Sequence, residues 1–187
     1  MRRYFRVLLP FVSLLLLVAL GLTGPGDAAA KRRARRSSVG AVHYQVDLSK
    51  LPFDRLEVTV AVERPRGKTT RLALPAWTPG SYLIRDFARD LSDMRARKAD
   101  GTSLPVTRID KQTWEVRHDG DDFTAEYYIH ARTLSVRTSY ADDAVAVLNG
   151  ASIFTYIPGA TRLPVDLKVA VRDGAVVTTS LESTATG

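Results

Sequence analysis

"LEVTVAV", residues 56–62, places Leu56, Val58, Val60 and Val62 on one face of an extended chain and Glu57, Thr59 and Ala61 on the other. Successive side chains of a strand point to opposite faces, so this period-two pattern, rich in β-branched residues, predicts a half-buried β-strand. "VHYQVDL" (42–48) repeats it with Val42, Tyr44, Val46 and Leu48. Working outward, further strands are expected at "TRLALP" (70–75), "LSDMRARK" (91–98), "TWEVRH" (113–118), "FTAEYYIHA" (123–131), "ASIFTYI" (151–157), "VDLKVAV" (165–171) and "AVVTTSL" (175–181). Turn signals separate them: "RPRG", "KADG", "HDGDD" and "IPGA" contain the Gly, Pro and Asp that chain reversals use. Only Leu83 to Met94 has helical spacing, through Leu83, Phe87, Leu91 and Met94. Many short strands with at most one short helix predict an all-β fold, an antiparallel β-sandwich or a saddle-like pair of sheets.

At 187 residues the chain has room for one sizeable domain, and 45% apolar residues suffice to build its core. Residues 1–30 read as a signal peptide. Arg2, Arg3 and Arg6 precede an apolar run from Val7 to Leu22, and "GPGDAAA" ends in small residues before Lys31. Export to the periplasm, the envelope or the exterior is therefore expected, and "RRYF" leaves both the general and the twin-arginine route open. The net charge of +7 invites a nucleic-acid reading. From Ser37 onward, however, acidic and basic side chains are equal in number. The positive charge belongs to the leader and to a basic tail, residues 31–41, where Lys31, Arg32, Arg33, Arg35 and Arg36 form an arm suited to an anionic envelope surface. No nucleic-acid partner is expected. The domain proper spans 42–181, and 182–187 is small, polar and linker-like.

Cysteine is absent, which excludes thiol catalysis, disulfides and cysteine zinc sites. The histidines, His43, His118 and His130, are isolated from one another, and His118 beside Asp119 reads as a solvated turn. Neither a GxSxG elbow nor a phosphate-cradling glycine loop occurs. No catalytic residue, metal ligand or cofactor is expected within this chain.

Three stretches carry a resemblance: "LPAWTPGSYLIRDFAR" (74–89), "DKQTWEV" (110–116) preceded by "ADG" (99–101), and "SVRTSYADDAVAVLNGASIFTYIPG" (135–159). In this order they resemble the N-terminal domain of the glycyl aminopeptidase family of secreted zinc metallopeptidases, whose members continue into a catalytic domain and a PDZ domain. The resemblance runs from about Tyr44 to Leu181. It implies an all-β, non-catalytic domain that packs on a catalytic domain and shapes its cleft, whether truncated or free-standing. The zinc and its HExxH helix would lie in that further domain. The alternative is an exported β-sandwich binding module at the envelope with no peptidase partner.

"PAWTPGSY" (75–82) admits two readings. Pro75 and Pro79 fix the backbone and Gly80 supplies a reversal, so the segment could be a rigid corner that buries Trp77 and Tyr82. Alternatively it presents Tyr82, Arg85 and Asp86 to a partner domain or peptide, with Arg85 clamping a carboxylate and Asp86 receiving an amine. Asn149-Gly150 reads as a mirror-image hairpin turn. With a catalytic domain present, Asn149 becomes a candidate to line the cleft, and "DDA" (142–144) is expected to be solvated acid on the approaching loop.

Overall fold

The computed structural model describes residues 3–9, 39–49, 55–163 and 165–183. Its strands are β1 (Arg3–Leu9), β2 (Ala41–Asp47), β3 (Arg55–Glu63), β4 (Thr69–Ala73), β5 (Leu91–Arg97), β6 (Ser103–Leu104), β7 (Val106–Arg108), β8 (Thr113–Arg117), β9 (Phe123–His130), β10 (Tyr140–Ala141), β11 (Ala146–Val147), β12 (Val165–Val171) and β13 (Glu182–Ser183). A 3-10 turn, Phe87–Asp90, precedes β5, and one α-helical turn, α1 (Gly150–Ile153), follows β11.

The large sheet runs β13-β1-β12-β2-β3-β9-β5-β6. Its pairs are antiparallel except for β12 against β2, which is parallel. β3 forms the spine. Leu56, Val58, Val60 and Val62 are all buried, and Ile129, Tyr127, Ala125 and Phe123 of β9 stand directly opposite them on the same face. Val46 and Val42 of β2 continue that face on the other side. A three-stranded sheet, β4-β8-β7, supplies the second layer of the same core, with Leu72 opposite Trp114 and Val116 beside it. Removing each such valine or leucine from water contributes roughly 1.5–3 kcal/mol, which is how a chain without cross-links holds two layers together.

Three expectations need correction. "ASIFTYI" is not a strand: it begins in α1 and meets β4 only through an Ala73–Tyr156 bridge. "AVVTTSL" is not a strand either, since 175–181 are irregular and only Glu182–Ser183 pair. The helical spacing over Leu83 to Met94 yields just the four-residue 3-10 turn, because Leu83 is largely exposed and Leu91 to Arg97 pair with β9 instead. Residues 3–9, assigned above to the leader, pair antiparallel along the whole of β12. Cleavage before Lys31 would remove that strand and make β12 an edge. The remainder of the leader and residues 31–38 of the basic tail lie outside the described residues, and Ala41, the last residue of that tail, already belongs to β2.

Candidate functional site

The segment between β4 and β5 leaves the core at Leu74, whose N–H donates to the Gln112 carbonyl at 2.9 Å. Thr78-Pro79-Gly80-Ser81 then reverse the chain. Ser81 N–H donates to Thr78 O at 3.0 Å, and Gly80 sits at φ +84, where a side chain would be strained. Ser81 is buried and acts as the hub: its carbonyl accepts from Trp77 Nε1 at 2.6 Å, its hydroxyl donates to Leu83 O at 2.8 Å, and its Oγ accepts from Arg85 Nε at 3.3 Å. Arg85 N–H closes back on Ala76 O at 2.5 Å.

These bonds hold a corner, but not one that buries its aromatics. Trp77 is 50% exposed and Tyr82 100% exposed, with Leu83 and Ile84 following them into solvent. The expectation that both rings complete the core is thus overturned. What anchors the loop is the polar group of Ser81, not the rings. Arg85 is half-buried on Ser81, whereas Asp86 is exposed and its side chain makes no capping bond to the turn it precedes.

Asn149 stands near the same end of the molecule, since the Phe87–Asp90 turn packs on α1. It is the N-cap of α1, not part of a mirror-image hairpin turn. Its Oδ1 accepts from Ala151 N–H at 3.1 Å, satisfying one of the donors a helix start leaves open. Its own N–H donates to Ser139 Oγ at 2.9 Å, and Ser139 and Ser152 hydroxyls meet at 2.8 Å. The hairpin in this region is β10–β11, closed by Asp142, whose carboxylate accepts from Ala144 and Val145 N–H at 2.8 Å. Those backbone bonds, joined by the Tyr140 hydroxyl, hold the Asp142 carboxyl below its ordinary value.

The histidines serve three different local purposes. His43 bridges Glu63 at 3.3 Å and Asp166 at 3.1 Å across β2, β3 and β12. His118 is fully buried, which corrects the solvated-turn reading: it stacks on Phe123, meets Thr70 Oγ1 at 3.0 Å through Nε2, and accepts from Gly120 N–H at Nδ1. Burial pushes its pKa down. His130 Nε2 lies 3.2 Å from Ser92 Oγ, the spacing of a nucleophile and its base, but its Nδ1 is buried without a hydrogen-bond partner, so no carboxylate orients the ring. Among the described residues, no group of three His, Asp or Glu side chains is placed to hold a metal.

Beside His130 lies a pocket of about 330 Å³. Arg89 and Asp90 line it from the 3-10 turn, Arg132 and Thr133 from the chain after β9, and Ser139 and Ser152 from the capping cluster. It joins the first and third stretches singled out in the sequence. In the sequence His130 stands out only as one of three isolated histidines, and nothing singles out Arg132.

The family model "Peptidase M61 N-terminal domain" matches residues 43–187. Among solved structures, an aminopeptidase N family protein from Idiomarina loihiensis is similar at 32% sequence identity and a TM-score of 0.66. The match covers 71% of this chain and 22% of that one, so this chain corresponds to under a quarter of the larger protein's length. No curated protein matches the chain. The strands and the three stretches that first pointed to a glycyl aminopeptidase agree with these findings, and the chain belongs to the family of M61 peptidase N-terminal domains.

Proposed function

We propose that this is the non-catalytic N-terminal domain of an exported M61-type aminopeptidase, and that it packs on the catalytic domain through the end formed by residues 77–86, shaping the substrate cleft. The observation that carries this reading is the loop itself. Tyr82, Leu83 and Ile84 are consecutive, large and exposed, on a backbone pinned by the Ser81 hydrogen bonds. A soluble domain rarely holds such a run rigidly in water unless a partner covers it. Arg85 and Asp86 flank the run and supply the polar rim of an interface, while Asn149 holds the neighbouring loop. On this reading zinc and hydrolysis belong to the catalytic domain alone.

The test supplies the catalytic domain of a related M61 peptidase in trans and measures docking by calorimetry. Wild-type chain is expected to bind, and Tyr82→Ser or Ile84→Ser to weaken binding at least about tenfold with unchanged melting, as loss of an apolar anchor does. Equal binding by both variants would remove residues 82–84 from the interface. No binding by the wild-type chain would favour a free-standing binding module.

A further inference from the structure

We infer that β1 is a placeholder strand: when the leader is removed, residues 175–181 close onto the freed edge of β12 as the second strand of a hairpin. The inference rests on the export leader of the proposed function and is independent of how residues 77–86 pack.

One edge and two candidate strands define the exchange. β2 occupies one side of β12, and β1 pairs along the whole of the other, from Arg3 opposite Val171 to Leu9 opposite Val165. An open edge of that length is a template for pairing with another chain, and folded proteins cover such edges. The run "AVVTTSL" (175–181) is as long as β1, is rich in β-branched residues, and forms no ladder while β1 is in place.

The approach of that run is already built. β12 ends at Val171 and the chain turns at once: Ala175 N–H donates to Arg172 O at 3.2 Å, with Gly174 at φ +82, the left-handed shape that tight hairpin loops use. Val177 and Leu181 pack against the core, whereas Val176 is 90% exposed. The shortest loop that keeps this facing has three residues, Arg172, Asp173 and Gly174. Ala175 then stands opposite Val171, Val177 opposite Val169, Thr179 opposite Leu167 and Leu181 opposite Val165, on the face where Leu167, Val169 and Val171 already meet the core. A two-residue loop would turn Val176, Thr178 and Ser180 inward instead. The displacement required is small. Leu8 pairs with both Asp166 and Glu182, so the end of the run lies one strand position, about 5 Å, too far out. Among the described strands β13 pairs only with β1, so nothing in the sheet holds it there once β1 leaves.

Amide hydrogen exchange compares the full chain with two forms in which β12 is freed. One is the chain that begins at Lys31. The other is the full chain carrying Phe5→Pro and Leu8→Pro, one odd and one even position, so that one proline removes a ladder donor facing β12. Protection of residues 175–181 is expected to rise at least about tenfold in both forms, with β3 and β9 unchanged. In the freed forms Val177→Asn is expected to abolish that gain and Val176→Asn to leave it. No gain in protection, or equal effects of the two asparagines, would overturn the inference. Loss of protection at β3 and β9 in both forms would overturn it as well, since β1 would then belong to the core fold; if one form alone loses it, the other decides.

Discussion

Trp77 Nε1 donates to the carbonyl of Ser81 at 2.6 Å, across the turn that Ser81 N–H already closes on Thr78 O. The indole therefore braces the loop from its solvent side, and half of it stays exposed. Trp77→Phe keeps much of the ring contact and loses the donor, so it is expected to cost less than about 1 kcal/mol globally while speeding amide exchange at Arg85. Trp77→Ala should cost roughly 1–2 kcal/mol in urea unfolding, below the 3–5 typical of a buried aromatic. A loss in that higher range would place the indole in the core.

The strands were legible where one face meets a core and the other does not. β3 and β9 alternate so regularly that position and facing follow from residue type alone. The Trp77 loop was not legible in that way, because an aromatic on a loop is buried only if something covers the loop. "ASIFTYI" misled for a related reason: its alternation fits a strand, but Asn149 caps it and Ser139, 13 residues from Ser152, anchors it. His118 looked solvated beside Asp119, yet Phe123 and Thr70 close over it. In each case a tertiary partner outweighed local pattern.

His118 gives a pH prediction. Its pKa is pushed below the ordinary 6.5 by burial, and its Nδ1 must stay unprotonated to accept from Gly120 N–H. The unfolded chain binds the proton first on acidification. The contribution to stability is therefore complete above the ordinary value and is lost as pH falls through it toward the lower folded value. Between about pH 7 and pH 5 the urea midpoint of the wild-type chain should fall more than that of His118→Gln, which carries no such titration. Parallel pH profiles would show that His118 is not the group responsible.

Asn149 can be tested as a cap. Asn149→Ala removes the acceptor for Ala151 N–H and should cost about 1 kcal/mol, whereas Asn149→Asp retains an oxygen there and should recover most of it. Thermal unfolding measures both. Were the residue instead the first position of a mirror-image turn, Asn149→Gly would be tolerated best and Asn149→Asp would hold no advantage over it.

The strongest stability prediction concerns Tyr127, which is wholly buried on β9 and reaches across the core to the end of α1 and the chain just after it. Its hydroxyl donates to Ile153 O at 2.8 Å and accepts from Thr155 N–H at 3.1 Å, replacing the ladder that "ASIFTYI" would have had as a strand. Burial pushes its pKa up to about 12, so the phenol stays neutral and keeps its proton to donate. Tyr44 holds the same segment from β2 by donating to Thr155 O at 2.5 Å. Tyr127→Phe leaves two buried backbone groups unmatched and should cost about 2–3 kcal/mol, and Tyr44→Phe, which frees one acceptor, about 1. Because both hydroxyls fix one segment, the double variant should lose less than the sum. Thr155→Val should behave oppositely. Its Oγ1 is buried with no partner, so replacing the hydroxyl by a methyl group should leave stability unchanged or raise it in equilibrium unfolding. A loss above about 1 kcal/mol in Thr155→Val would mean that the hydroxyl has a bonding role there.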